Sequence, residues 1–496
     1  MITNSTKENI EKTCDINDLD KDEIYNQALR LSTGNGIPMD KKTAAYYFKI
    51  AADKGQLNAI YNYAIILFKG DGIPADKLEA SKYFKKAADI GMLNSIKNYA
   101  FILLNGDGIP INKEEAAKYL KIAADNHDVI SMYNYGMMLL NGDGIAPDHE
   151  EAAKYLKNAA DEGHINAMNN YATLKLNGDG VTVDKEEAAK YMKMAADQGQ
   201  VNSMKNYGLM LLKGEGVSEN PQEAAYYMKM AADNGDIKAM YAYALMLYKG
   251  DGVPVDKQES ARYYKMATEK GQVEAMFDYG VILHKGEGIP ADHKEAAKHY
   301  KKALDEGQIE AMNNYGALLF KGEGVAMNKA EAASYFKNAA DKGDLNAMYN
   351  YALMLYNGDG VSVDKKEAAR YFKITADKGN INAMNNYGVI LSKGDGVPVD
   401  KEEAFRYYSN AANEGHVDAI YNMALQLFKG EGVPVNKEEA AKYFKIAADK
   451  EHINAMINFA VMLFNGDGVP VDKEESARYY NMASNKRSLS ILNTMN

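Results

Sequence analysis

A Gly-x-Gly tripeptide returns every 36 residues, from Gly34 through Gly70, Gly106 and Gly142 to Gly466, thirteen times with no insertion or deletion. That period limits the fold more than any other property of the 496 residues. Length alone would suggest about three or four independent globular domains. A 36-residue unit is too small to bury a core by itself. Equal units therefore stack on their sequence neighbours, which predicts a quasi-one-dimensional array.

The unit around Gly70 shows what is stacked. Ala59, Ile60, Tyr63, Ala64, Ile66 and Leu67 recur at three- and four-residue steps, the pattern of a helix with one buried face. Gly70 follows where a left-handed C-terminal cap is needed, a conformation glycine adopts without a Cβ penalty. Asp76, with Glu79 three residues on, then reads as a capping box opening a second helix. All thirteen copies carry Asp or Asn at that cap; one reads Asn220-Pro221-Gln222-Glu223, with Pro at the first helical position. Ala80, Tyr83, Phe84 and Ala87 point inward before the second helix stops near Gly91.

Six positions before each loop glycine stands Ala or Gly, from Ala28 and Ala64 to Gly388 and Ala460, which allows close helix approach. Tyr fills the slot thirteen residues after the loop glycine in twelve copies, with His299 the exception. These rings are expected to pack between successive helices, each hydroxyl reaching a polar group at the rim. Glu23, Gln27 and Ser32 soften the first unit, and Ser490-Ile491-Leu492 reads as the start of a fourteenth helix. The expected division is a polar extension over 1–21, the repeat array over 22–487 and a capping tail over 488–496.

Ala59…Tyr63-Ala64…Leu67…Gly70-Asp71-Gly72-Ile73-Pro74…Asp76-Lys77…Glu79-Ala80…Tyr83…Ala87-Ala88-Asp89…Gly91 resembles the Sel-one-like repeat (SLR), a relative of the tetratricopeptide repeat with a longer, glycine-containing loop. The resemblance runs from about Asp22 to Arg487. It implies an all-α fold, a right-handed α/α superhelix (solenoid) of thirteen helix-turn-helix units. It also implies a role as scaffold or adaptor in protein complexes and signalling. Some members of that family are extracellular and disulfide-rich, and others sit in the endoplasmic reticulum.

Composition narrows the setting. Hydrophobic residues make up 46% of the chain, and the net charge of −11 lacks the positive field that phosphate backbones need, so nucleic acid is not an expected partner. Cys14, the single cysteine, can build neither a disulfide framework nor a cysteine-based metal site. The first 21 residues have no apolar stretch of signal-peptide length, and no run reaches the roughly 20 residues that span a bilayer. The expectation is a cytoplasmic protein without membrane contact, with a monomer favoured over an oligomer.

In stacked helix pairs the first helices line the concave face, and two slots there are candidates for partner binding. Eight positions before the loop glycine, Asn stands in eleven copies, among them Asn62, Asn134, Asn170, Asn314, Asn350, Asn386 and Asn422. Such a row can clamp an extended peptide backbone or bridge to the next repeat. The slot before it varies, with aromatics at Tyr61, Tyr133, Tyr241, Tyr349 and Tyr421, and variation is what a specificity surface needs. Two irregular positions are Lys175, where other copies carry Leu, and Gln426, where they carry Met or Ile. Each marks either a local opening in the stack or, for Lys175, a stem laid along the apolar face with its amine in water.

Signals for chemistry are weak. The loops lack the third glycine and Lys-Ser/Thr of nucleotide loops and follow a helix, not a strand. Asp71 and Asp76 do not have EF-hand spacing. His164, His416 and His452 share one slot where other copies carry Gln or Asn, so they read as substitutions on a polar surface; His293 and His299 have no third ligand spaced for them. The Ser-x-x-Lys at Ser334-Tyr335-Phe336-Lys337 is explained by substitution between repeats. No cofactor, metal or catalytic residue is assigned. The expected function is a non-catalytic scaffold for protein or peptide partners. The alternatives are a structural spacer or self-assembling array and, further off, a hydrolase related to the cysteine-rich SLR proteins.

Overall fold

The structure is a computed structural model that describes residue 16 and residues 19–495, with side chains through 487. Cys14 and most of the N-terminal extension lie outside the described residues. Among the described residues there are twenty-six helices and no strand. The chain divides into two compact units, Met1–Val255 and Asp256–Asn496. The first unit holds six helix pairs and one further first helix, Ile237–Lys249. The second opens on the second helix Lys257–Glu269 and continues with six pairs ending in Lys473–Met495. In each unit a helix packs on the helices before and after it in sequence, so the all-α solenoid expected from the period is what forms.

Local signals set the helix ends. In the pair Leu57–Lys69 and Lys77–Asp89, the Gln56 side chain accepts from the Ala59 N–H at 2.6 Å, and Gly70 closes the first helix at φ 75° with its N–H on the Ile66 carbonyl. Asp76 accepts from the Glu79 N–H at 2.9 Å, as expected of the cap. The return half of the capping box is put to other use: the Glu79 carboxylate takes Lys82 at 2.7 Å, and Glu115 takes Lys85 of the preceding repeat at 2.9 Å. A reciprocal box is complete at Asp20 and Glu23.

The second loop glycine answers to the neighbouring repeat. A Cβ on Gly72 would lie 2.6 Å from the Lys41 carbonyl, because the loop of one repeat rests on the start of the preceding repeat's second helix. The same contact lets the loop acid pair with the lysine opening that helix: Lys41–Asp71 at 2.8 Å, Lys77–Asp107 at 2.6 Å and, in the second unit, Lys365–Asp395 at 2.7 Å. These pairs are solvated and individually contribute little.

The small slot six residues before the loop faces the second helix of its own repeat. A Cβ on Gly136 would meet Leu156 at 2.9 Å, and one on Gly388 would meet the Tyr408 ring at 2.7 Å. The repeated tyrosines form the lock between successive pairs. Tyr99 and Tyr119 meet edge-on at 5.0 Å, the Tyr119 hydroxyl donates to Asp89 of the preceding repeat at 2.7 Å, and the Lys85 amine lies over both rings while reaching Glu115. The Glu115 hydrogen bond raises the Lys85 amine above its ordinary value.

At the start of the array Glu23 and Gln27 are exposed, as the softened first unit implies. At the other end the last repeat leaves Val461, Phe464 and Tyr480 exposed by 47%, 57% and 59%, whereas the counterparts of Tyr480 in interior repeats, such as Tyr264 and Tyr300, are buried. Ser490 to Leu492 open no new helix. They continue the helix Lys473–Met495, which runs on past the point where every other second helix stops.

Candidate functional site

The solvent side of the first helices carries both predicted slots, and the structure draws them into the joints between repeats. Tyr61, Tyr133, Tyr241, Tyr349 and Tyr421 are all half-buried, as are Asn62, Asn134, Asn170, Asn314, Asn350, Asn386 and Asn422. Asn62 donates to the Tyr25 hydroxyl at 3.3 Å, Asn98 to Tyr61 at 3.4 Å and Asn386 to Tyr349 at 3.2 Å, each reaching back one repeat. At two of the three copies whose preceding slot is itself Asn, the amides pair: Asn350 with Asn313 at 2.9 Å and Asn422 with Asn385 at 3.0 Å. Asn134 donates within its helix to the Ile130 carbonyl, Asn170 reaches the Met137 sulfur, and Asn314 lies 3.5 Å from the Tyr300 hydroxyl. Most of these amides thus spend a donor on holding the stack.

The variable slot has partners matched to it. Lys97 pairs with Asp128 and Lys205 with Asp236, both at 3.1 Å, while Tyr133 stacks on His164 at 4.3 Å and Tyr421 on His452 at 4.4 Å. The partner in each case is the N-cap residue just before the next repeat's first helix, thirty-one positions on. At these four copies the slot residue is matched by a neighbour inside the molecule.

An apolar stripe that sequence reading passed over lies beside these residues, five positions before the loop glycine. In the first unit it includes Ile65, Phe101, Met137 and Leu209; in the second, Leu353 and Val389. Leu209 is 39% exposed. Between two first helices of the first unit this face sinks into a cavity of about 370 Å³, walled by Tyr61, Ile65, Phe68, Phe84 and Phe101, with Asn98, Asn105 and Asp107 among its polar groups. The stripe was legible in principle: every copy but two, Thr173 and Ala317, carries a large apolar residue there. It merges with the buried face when only helical periodicity is counted.

Both irregular positions find partners inside the stack, although the Gln426 side-chain oxygen is buried without a hydrogen-bond donor. The Lys175 side chain is 13% exposed and ion-pairs with Glu187 at 2.8 Å, with the Tyr171 ring beneath it, so its amine is matched by a carboxylate and is not left in water. Gln426 is buried and donates to the Lys401 carbonyl at 3.2 Å. His164, His416 and His452 are not plain surface substitutions: each ring accepts from the backbone as the N-cap of a first helix. His284 and His293 lie ring to ring at 5.3 Å near Glu323. Among the described residues no group of three or more His, Cys, Asp or Glu is placed to hold a metal ion. Ser334 and Lys337 are exposed on the second helix Lys329–Asp341. Among the described residues no helix is long and apolar enough to cross a membrane.

Stacked helix pairs with an apolar, amide-lined face define the class: an all-α repeat protein of the kind that typically mediates protein–protein interaction. The Sel1 repeat profile matches thirteen successive segments, from residues 25–56 and 57–92 through to 453–488. The chain belongs to the Sel1 repeat family. It is similar to the crystal structure of a protective antigen present in uropathogenic Escherichia coli strains, which displays an SLR fold: TM-score 0.71, 26% identity, covering 89% of this chain and 94% of that one. A Sel1 repeat protein from Oxalobacter formigenes aligns with TM-score 0.49 and 24% identity over 64% of this chain and 91% of its own. A comparison with curated proteins finds no match.

Proposed function

We propose that this protein is a non-catalytic scaffold or adaptor that binds peptide or protein partners along its first-helix face. The observation that carries this reading is the apolar stripe beside the Asn and Tyr slots, deepened at the Tyr61–Phe101 cavity. Large apolar side chains with adjacent amides suit a partner that inserts hydrophobic residues and bonds its backbone to the rim. The aromatic edges of Tyr61, Tyr133, Tyr241, Tyr349 and Tyr421 and the remaining hydrogen-bonding capacity of the adjacent Asn row are the proposed contact groups.

The test places a photo-crosslinking residue at Phe101 or, as a control, at Lys118, whose side chain is 68% exposed on a second helix. Partner adducts are expected from position 101 and not from 118, and Leu209→Glu with Val389→Glu should suppress binding while circular dichroism stays unchanged. Equal adducts from both positions, or full binding by the double variant, would overturn the assignment.

Self-assembly is a second reading, favoured by the exposed Val461, Phe464 and Tyr480 on the last repeat. Two copies that bring these apolar side chains together would bury them in a closed dimer. Light scattering of the full chain against Phe464→Glu/Tyr480→Glu separates the cases: a dimer that the variant abolishes supports it, and a monomer at all concentrations removes it.

A further inference from the structure

We propose that three first helices carry an acid-sensitive cap, in which His164, His416 and His452 hold the helix N-terminus through a neutral ring nitrogen and release it on protonation. The residue before each first helix is a cap in most copies. Asp128, Asp236 and Asp344 accept from the N–H three residues on at 2.9, 2.8 and 2.7 Å, and Asn380 does so at 2.9 Å. At the three histidines the acceptor is Nδ1: the Ala167 and Ala419 amides donate to it at 3.2 Å and the Ala455 amide at 3.0 Å.

A carboxylate or a carboxamide oxygen keeps its lone pairs throughout the neutral and mildly acid range. An imidazole nitrogen accepts only while neutral. Adding a proton to Nδ1 sets a donor against the amide N–H and places positive charge at the positive end of the helix dipole. The surroundings hold the required tautomer where a partner for the other nitrogen exists. Nε2 of His416 lies 3.2 Å from Asn382 Oδ1, and Nε2 of His452 lies 3.4 Å from Asp418 Oδ1, so Nε2 is the protonated nitrogen in both.

The groups facing each ring are few. His164 lies against the Tyr133 ring, from the preceding repeat's first helix. His416 faces Asn382, and the Lys450 amine reaches the Gly415 carbonyl beside it. His452 faces the Tyr421 ring and Asp418. Burial lowers His164 and His452 below the ordinary imidazole value; at His452 the Asp418 carboxylate works in the opposite direction and burial prevails. A lowered value in the folded state means the unfolded state binds more protons. The His164 and His452 caps therefore contribute fully above the free imidazole value of 6.5 and are lost as pH falls below it. Because His164 and His452 stack on Tyr133 and Tyr421, the helix starts that loosen carry the first-helix face, but the inference does not depend on any partner.

Hydrogen exchange of the full chain, read by mass spectrometry at pH 7.5 and 5.5 and corrected for intrinsic rates, tests it. Protection of segments spanning 165–171, 417–423 and 453–459 should fall about fivefold at pH 5.5, the scale of losing one cap. Segments spanning 237–243 and 381–387, capped by Asp236 and Asn380, should hold. The triple variant H164N/H416N/H452N uses a cap already present at Asn380 and should keep neutral-pH protection while losing the acid response. A second triple variant with Gln, the residue at 56 and 200, checks the result if Asn disturbs folding. An unchanged acid response in both variants, or no response in the wild type beyond that of the control segments, overturns the proposal.

Discussion

The Lys97 amine lies 3.1 Å from an oxygen of Asp128, the residue that also caps the next repeat's first helix. Lys205 and Asp236 repeat the arrangement three copies later. Both lysines at this variable slot face aspartate, and two of its tyrosines face histidine. Asp128 stays below the usual carboxylate range: burial opposes this, but the Ser131 and Lys97 hydrogen bonds outweigh it. A double-mutant cycle with Lys97→Met and Asp128→Asn, which keeps a capping oxygen, should give a coupling of about 1 kcal/mol. Urea unfolding measures it; strictly additive effects would show the matching to be geometric coincidence.

Glycines in this chain differ in what they hold. Gly199 has φ +91° with nothing within 4 Å of the place a Cβ would take, while Gly216 has φ +70° and a Cβ there would lie 1.9 Å from the Lys185 carbonyl oxygen. Gly199→Ala should cost about 1 kcal/mol, from the left-handed backbone alone. Gly216→Ala should cost about 3 kcal/mol, because the loop must lift off the preceding helix. Equal losses in thermal unfolding would contradict the contact between repeats.

Lys175 is a charged side chain where other copies carry Leu, matched by Glu187. Replacing a poorly solvated ion pair with apolar packing is often neutral or stabilising. Lys175→Leu should leave the unfolding midpoint unchanged or raise it, with a gain of up to about 1 kcal/mol. Glu187→Gln should lower it, since the amine then loses its counter-charge. A large loss in Lys175→Leu would show that the lysine organises more than its own site.

Tyr227 donates to Asp197 of the preceding repeat, and burial together with that carboxylate pushes its phenol up to about 12. The folded state thus holds this proton more tightly than the unfolded chain does. The resulting stability is present below pH 10 and is lost as pH rises toward 12. Alkaline titration followed by circular dichroism should show a shallower loss in Tyr227→Phe than in the parent protein.

Much of the fold was readable because its signals are local. Gly70 as a left-handed cap, Asp76 as an N-cap and the inward set Ala80, Phe84 and Ala87 all act within a helical turn or two, and each is found where the sequence places it. Tyr119 reaching a polar group at the rim was also foreseeable, since a mostly buried phenol needs a partner. The partner itself, Asp89 of the preceding repeat, was not.

The sequence alone determined the number of units, their phase, the helix ends that flank each Gly-x-Gly loop and the family, because a strict 36-residue period leaves one register in which the loop caps and apolar faces agree. The tertiary structure decided which side chains meet across that period. It turned Gly72 from a turn residue into a point of close approach to Lys41, the Asn62 amide into a bridge to Tyr25, and His164 into a helix cap beneath Tyr133. Those pairings span some 30 residues of chain but only a few ångströms of space, and no intrinsic preference of either partner encodes the distance at which two helix pairs come to rest.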